Sequence, residues 1–249
     1  MKDSTERFSD RVDNYAKYRP AYPEKILDYL KEYNFSGSSV IADAGSGTGK
    51  LTELFLKNGN RTYAVEPNPD MRNMADSLLN KYANYVSING TAEKTALGNA
   101  SVDFVVVGQA FHWFDADKAL NEFRRILKIN GVLVLIWNDR KLDTGFLIEY
   151  DSILKKYSKD YGEITHRNIS DEVIEKYYSG DYKKYTIDNY QEFNFTELMG
   201  RFSSGSYTPK EGTDEYKDSY RSLEKIFHKY ETNGKIVFKY DTKIYAGRI

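Results

Sequence analysis

Cysteine is absent from the 249 residues. That excludes a disulfide framework, thiolate zinc and iron–sulfur centres, and any attack on a base through a cysteine thiolate. Excess charge is missing too: 36 basic and 37 acidic residues leave a formal net charge of −1. A protein that grips long phosphate backbones gains affinity by releasing counterions, and it usually carries a basic excess or stripe to do so. DNA is therefore not an expected partner. No apolar run approaches a membrane span, and the longest, such as Val132 to Trp137, are strand-sized. The start, Met1 to Glu6, is polar with no apolar stretch behind its charges, unlike a signal peptide. These absences predict a soluble cytoplasmic protein with no metal centre and no membrane partner; nothing requires more than a monomer or weak homodimer.

Tyrosine is abundant, with 22 residues interleaved with Lys and Asn in the C-terminal half. Stacking platforms for bases use such residues. A/T-rich coding produces the same excess, so no nucleic-acid surface is read from it.

The length suits one domain with an appended lid. Helix and strand signals alternate over the first 140 residues, the pattern of a parallel sheet covered on both faces. Strands are predicted at Val40-Ile41-Ala42, Thr62 to Val65, Tyr85 to Ile88, Val102 to Val107 and Val132 to Trp137. Helical faces follow Pro23, then Leu51-Leu54-Phe55, then Met71-Met74-Leu78, then Leu120-Phe123-Ile126. After Asp139 the pattern changes. Phe146 to Tyr161, Ile169 to Tyr178 and Glu215 to Tyr230 read as helices, and Phe202 to Gly212 as a loop that the composition predicts to be mobile. Tyr182 to Phe195 and Ile236 to Tyr245 alternate as strands. The prediction is an α/β chain, residues 1–249 forming a single domain. Its core spans 1–140, a mainly helical lid 141–235 contains one core strand near 182–195, and the final core strand lies in 236–249.

The most informative segment is Asp43-Ala44-Gly45-Ser46-Gly47-Thr48-Gly49-Lys50, set between a buried strand and a helix start. Glycines there allow a tight turn and close approach of a ligand, and the helix N-terminus favours an anionic group. A nucleoside-triphosphate loop would follow Gly-Lys with Ser or Thr, but Leu51 stands there. A dinucleotide loop would place its third glycine where Lys50 stands. An early carboxylate suits a ligand with an ammonium group to orient and would repel a pyrophosphate. Glu66 ends the next strand, at the distance where a carboxylate can accept from both ribose hydroxyls.

The acid two residues before a G-x-G-x-G run resembles the first motif of class I S-adenosylmethionine-dependent methyltransferases. Gly108-Gln109-Ala110-Phe111-His112-Trp113-Phe114-Asp115 is similar to the signature of their small-molecule branch, the one containing trans-aconitate methyltransferase. Tyr15 to Pro23 and the ending Tyr245 to Ile249 resemble that branch as well. The resemblance is good over residues 8 to 140 and thin from 140 to 240. It implies a Rossmann-like sheet of seven strands, mostly parallel with the last antiparallel, helices on both faces, and a helical lid inserted after the fifth strand. It implies S-adenosylmethionine as cofactor, yielding S-adenosylhomocysteine. Asp43, Gly45, Ser46, Gly47, Gly49, Glu66, Pro67 and Met71 would hold it. Ala92 and Glu93 would lie by its adenine, Gln109 beside it, and Tyr15 and Arg19 over its methionyl end.

Methyl transfer from a sulfonium is an in-line displacement, in which the protein aligns the partners and excludes water. A carboxylate acceptor needs no general base; a hydroxyl or amine would use one, and His112 is the expected residue. Phe111 and Trp113 are expected to line the acceptor pocket. Arg201 and Lys210 are further candidates to pair with an acidic acceptor across the lid, and His166 and His228 are expected at the surface. The expected partner is a small-molecule methyl acceptor. The alternatives are an RNA methyltransferase and a non-catalytic S-adenosylmethionine-binding protein. Amino-methylating nucleic-acid enzymes carry an Asn/Asp-Pro-Pro-aromatic element where Gly108-Gln109-Ala110-Phe111 stands here.

Overall fold

The computed structural model describes residues 11–158, 161, 171–178 and 181–249. Seven strands form one sheet: β1 (Ile41–Ala44), β2 (Thr62–Val65), β3 (Tyr85–Ile88), β4 (Val102–Gly108), β5 (Leu127–Arg140), β6 (Tyr182–Phe193) and β7 (Ile236–Gly247). Their order is β3-β2-β1-β4-β5-β7-β6. The first five run parallel, and β7 is antiparallel to both β5 and β6. The chain is thus an α/β protein on a mixed, Rossmann-like sheet. Because β1 pairs with β2 on one side and β4 on the other, the strand order reverses there. Open α/β sheets bind ligands at the carboxyl ends of such strands.

The central strands read as continuous hydrophobic runs because both faces are covered. Alternate residues serve opposite sides. Val105, Val107, Leu133 and Leu135 pack with Leu120 and Phe123 of α5 (Ala116–Ile126). Phe104, Val106, Val134 and Ile136 pack instead with α2 (Lys25–Leu30) and α3 (Lys50–Lys57). The predicted strand 132–137 is part of a longer β5. Its start pairs Val102 with Leu127, and the register shifts before Phe104 meets Val132, with Asn130 at φ 66° in the offset.

A second core belongs to the lid. Helices α6 (Gly145–Tyr157), α8 (Phe195–Ser203) and α9 (Asp214–Tyr230) close on aromatic residues of the strand ends, Phe193, Phe238 and Tyr240. β6 and β7 stay paired over twelve positions, whereas the β5–β7 pairing ends at Arg140↔Tyr240. The sheet therefore projects into the lid and is not merely capped by it.

Helix α8 lies between the predicted strand and the predicted loop, in a stretch the periodicity left unassigned. Its signal is a capping box: the Asn194 side chain accepts from Glu197 N, and the Glu197 carboxylate accepts from Asn194 N. The first lid helix ends at Tyr157, short of the Tyr161 expected. The second is α7 (Asp171–Tyr177), and Ile169 and His166 lie outside the described residues. The N-terminal arm forms a helix, α1 (Val12–Tyr18), which lies directly on α8. A Cβ at Gly200 would overlap the Tyr18 ring. The Ser/Gly-rich stretch after α8 is tied down by Arg11. Its guanidinium donates to the carbonyls of Ser203, Gly205 and Thr208 and to Thr208 Oγ1. Among the described residues, no helix is long and apolar enough to cross a membrane.

Candidate functional site

A cavity of about 250 Å³ opens at the carboxyl ends of β1 and β4, beneath α1 and the Ser203–Thr208 loop. Its floor is the turn from β1 into α3. Gly45, Gly47 and Gly49 all take positive φ, at 69°, 56° and 81°, which L side chains rarely adopt. Their surroundings differ. A Cβ at Gly45 would press on Ala110 and Phe114, and one at Gly49 would strike Leu79 of α4 (Pro69–Leu79). Gly49 therefore serves helix packing and does not line the cavity. Gly47 faces open space, its nearest neighbour being the Tyr15 ring at 3.9 Å from a Cβ position. It is the glycine that leaves room for a ligand.

Asp43 is the penultimate residue of β1, is 1% exposed and lines the cavity. Thr52 Oγ1 donates to its Oδ2 at 2.6 Å, while its Oδ1 is buried with no partner among the described residues. Burial pushes its pKa up to about 7, opposed by the Thr52 hydrogen bond. Ser46 Oγ and Thr48 Oγ1 are likewise buried, unpartnered and on the cavity wall. Buried polar atoms in folded proteins are nearly always satisfied, so a cluster of orphans around one cavity points to a polar ligand.

Glu66 follows β2 and is 9% exposed. Its Oε2 accepts from Gly47 N and its Oε1 from Asn68 N, both at 2.9 Å. Burial raises its pKa, and these two amides pull it back. The amides fix the carboxylate's orientation and leave lone pairs for further donors. Pro67 and Met71 line the cavity beside it, with Met71 on the first turn of α4, where Asn68 caps the helix by accepting from Asp70 N and Met71 N. Ala92 and Glu93 line the next part of the wall. The Glu93 carboxylate accepts from Asp115 N at 3.0 Å, which ties this turn to the start of α5.

At the end of β4, Gln109 takes φ 58° and lines the cavity, its Nε2 donating to Asn138 O at 3.1 Å. His112 and Trp113 also line it, their rings 4.8 Å apart. Phe111, expected on the pocket wall, is instead 2% exposed in the core, between Phe114 and Tyr177. The 3-10 turn Phe111–Trp113 points successive side chains in different directions, so only one of the two aromatics can face the cavity.

Tyr15 and Arg19 cover the opening from α1 and its end, the guanidinium 5.0 Å from the Tyr15 ring centroid. Arg19 Nη2 donates to Ser204 O at 3.0 Å, and burial, then Arg201, lowers its pKa. The far wall is one that sequence reasoning largely missed. It consists of Asn138 and Arg140 from β5, Tyr240 from β7 and Arg201 from α8. Of the two basic residues expected to suit an acidic acceptor, Arg201 is buried at this wall, whereas Lys210 is exposed and away from the cavity. His228 is exposed in the last turn of α9. Arg140 Nη2 donates to Asp151 at 2.5 Å and Tyr161 at 2.6 Å, forming a buried ion pair that braces β5 against α6.

Residues 42–135 match the family described as "Methyltransferase domain". An uncharacterized methyltransferase of Mycobacterium bovis is 35% identical over 153 residues, covering 61% of this chain and 60% of that protein. The chain thus matches less than two thirds of that relative's length. An uncharacterized methyltransferase of Schizosaccharomyces pombe is 28% identical over 96% of this chain and 95% of its own. Among solved structures, a proposed type II methyltransferase from Anaeromyxobacter dehalogenans superposes with TM-score 0.66 at 20% identity, over 93% of this chain and 98% of that one. Residues 42–135 of the chain are thus similar to a methyltransferase domain, and the chain as a whole shares the α/β fold of that solved structure.

Proposed function

We propose that this chain is an S-adenosylmethionine-dependent methyltransferase that methylates a small molecule on a carboxylate or hydroxyl oxygen. The observation that carries the reading is Asp43. Its Oδ1 is a buried, unpartnered carboxylate oxygen on the floor of a cavity whose glycine turn leaves room for a ligand. A cationic ammonium group satisfies that oxygen, and S-adenosylmethionine carries one.

The other residues fit the same ligand. Glu66, oriented by two backbone amides, accepts from ribose hydroxyls, and Pro67, Met71, Ala92 and Glu93 continue the wall on the adenine side. Tyr15 and Arg19 close over the methionyl end, and Gln109 with Ser46 borders it. The bound cofactor supplies an activated methyl group on a sulfonium, so the leaving group comes with it. The protein's contribution is orientation and the exclusion of water, supplied by the roof of α1 and the Ser203–Thr208 loop. A carboxylate acceptor arrives already ionised. A hydroxyl acceptor would give its proton to His112, which stands on the cavity wall beside Trp113.

Calorimetric titration with S-adenosylmethionine and S-adenosylhomocysteine tests the reading. Micromolar binding is expected, weakened strongly by Gly47→Arg, which fills the open space over the turn, and by Glu66→Gln, which removes charge facing the ribose. Absence of binding by folded wild-type protein would remove the central claim.

A further inference from the structure

The far wall of the cavity holds a positive charge that none of the described residues neutralises. Arg201 is 7% exposed, and among the described residues no carboxylate lies within ion-pairing distance of its guanidinium. Its protein contacts are long: Nε to Tyr240 Oη at 3.4 Å and Nη1 to Ser204 Oγ at 3.3 Å. Arg140 on the same wall provides the contrast, since Asp151 neutralises it. Burying a guanidinium without a counter-charge is strongly unfavourable, so a site that keeps one is built for an anion.

Asn138 adds a second, independent pointer. Thr242 Oγ1 donates to its Oδ1 at 2.6 Å and Asn189 Nδ2 does so at 3.3 Å, which fixes the amide with its nitrogen turned the other way. That nitrogen is buried and has no partner among the described residues, and the residue is 6% exposed on the cavity wall. Asn138 and Arg140 are two apart on β5 and so share a face. Their register partners on β7 are Thr242 and Tyr240, and Arg201 reaches that face through Tyr240. A buried guanidinium without a counter-charge and a buried amide nitrogen without a partner therefore line the same cavity.

We propose that Arg201 and the Asn138 amide nitrogen form an acceptor subsite that anchors a carboxylate of the methyl acceptor. This rests on the reading of the cavity as an S-adenosylmethionine site. On that reading Tyr15, beside Gly47, and Arg19 take the methionyl carboxylate; Arg201 neighbours Arg19, both guanidiniums donating to Ser204, while Asn138 and Tyr240 belong to β5 and β7. A carboxylate held by a guanidinium has its charge neutralised and its lone pairs engaged, which makes it a poor nucleophile. The anchored group is thus not the one methylated, and the acceptor is an acid with a second nucleophilic oxygen, either a diacid or a hydroxy acid.

The test uses the full chain saturated with S-adenosylhomocysteine and titrated calorimetrically with succinate, glutarate, malate and 4-hydroxybenzoate, each against its amide. At least one acid is expected to bind and its amide to fail. Arg201→Met is expected to weaken that binding roughly 30-fold or more, and the isosteric Asn138→Asp to abolish it by repulsion. Both variants should hold S-adenosylhomocysteine within about threefold of wild type in the absence of acid. Arg201→Lys, which keeps the charge, is expected to fall between wild type and Arg201→Met, and circular dichroism checks that each variant folds. Binding of none of the acids to cofactor-loaded wild type overturns the subsite while leaving the cofactor reading intact. Equal weakening of acid and S-adenosylhomocysteine by Arg201→Met overturns it by assigning the arginine to the cofactor. If wild type fails to bind S-adenosylhomocysteine at all, the cofactor reading falls and the subsite falls with it.

Discussion

Asp43→Asn separates what Asp43 does for the ligand from what it does to the fold. The substitution is isosteric, and Thr52 Oγ1 can still donate to the retained side-chain oxygen. In the cofactor-free protein, burial raises the Asp43 carboxyl from its ordinary value of 3.8 to about 7. A carboxyl that holds its proton more tightly folded than unfolded gives stability that is full below the unfolded pKa. That stability is lost as pH rises through the folded pKa. With each pH unit worth about 1.4 kcal/mol, wild type at pH 8 carries a penalty on the order of 4 kcal/mol that Asn does not. Asp43→Asn is therefore expected to stabilise the cofactor-free protein at pH 8, raising the melting temperature by roughly 5 to 15 °C. At pH 4 the two proteins should differ little.

Cofactor binding should move the opposite way. Removing a charged acceptor facing an ammonium group costs about 10- to 150-fold in affinity. Wild-type affinity should also fall by up to about tenfold for each pH unit below 7, because binding then expels the Asp43 proton. Calorimetry in buffers of different ionisation enthalpy measures that proton directly. A stability difference between the two proteins that is the same at pH 4 and pH 8 would refute the reasoning. So would undiminished cofactor binding by the variant.

Other perturbations probe the parts that build the cavity. Gly200→Ala should push α1 off α8, because its Cβ overlaps the Tyr18 ring; a loss of about 1 to 3 kcal/mol in denaturant unfolding and weaker cofactor binding are expected. Arg140→Met leaves Asp151 buried with Lys155 and Tyr161, and should cost about 2 to 4 kcal/mol; unchanged stability would show that Lys155 alone suffices. Arg11→Ala frees the carbonyls of Ser203, Gly205 and Thr208, so amide exchange across 203–208 should accelerate while β4 and β5 stay protected. Exchange there at the wild-type rate would remove Arg11 from its role in the roof.

The sheet was legible because its signals are local. Buried parallel strands are short apolar runs, and the glycine turn and the acids at Asp43 and Glu66 sit at strand ends whose spacing is written in the chain. The capping box at Asn194 is equally local, but it marks a helix between a strand and a loop that hydrophobic periodicity does not reveal. Gly47 and Gly49 look alike in sequence; only the packing of α4 shows that one faces a ligand space and the other a leucine. Phe111 and Trp113 are equivalent aromatics until the 3-10 turn sends one into the core and leaves the other on the cavity wall.

The far wall was out of reach for a stronger reason. Arg201 lies more than sixty residues from Asn138 and nearly forty from Tyr240, and it is one of 36 basic residues with no motif around it. Its meaning comes from burial without a counter-charge, which depends on how α8 folds over β7. Local patterning thus determined the α/β core, the glycine turn and the expected cofactor. Long-range packing decided which side chains share the cavity, because desolvation and unpaired charge are properties of an enclosed volume and have no counterpart along the chain.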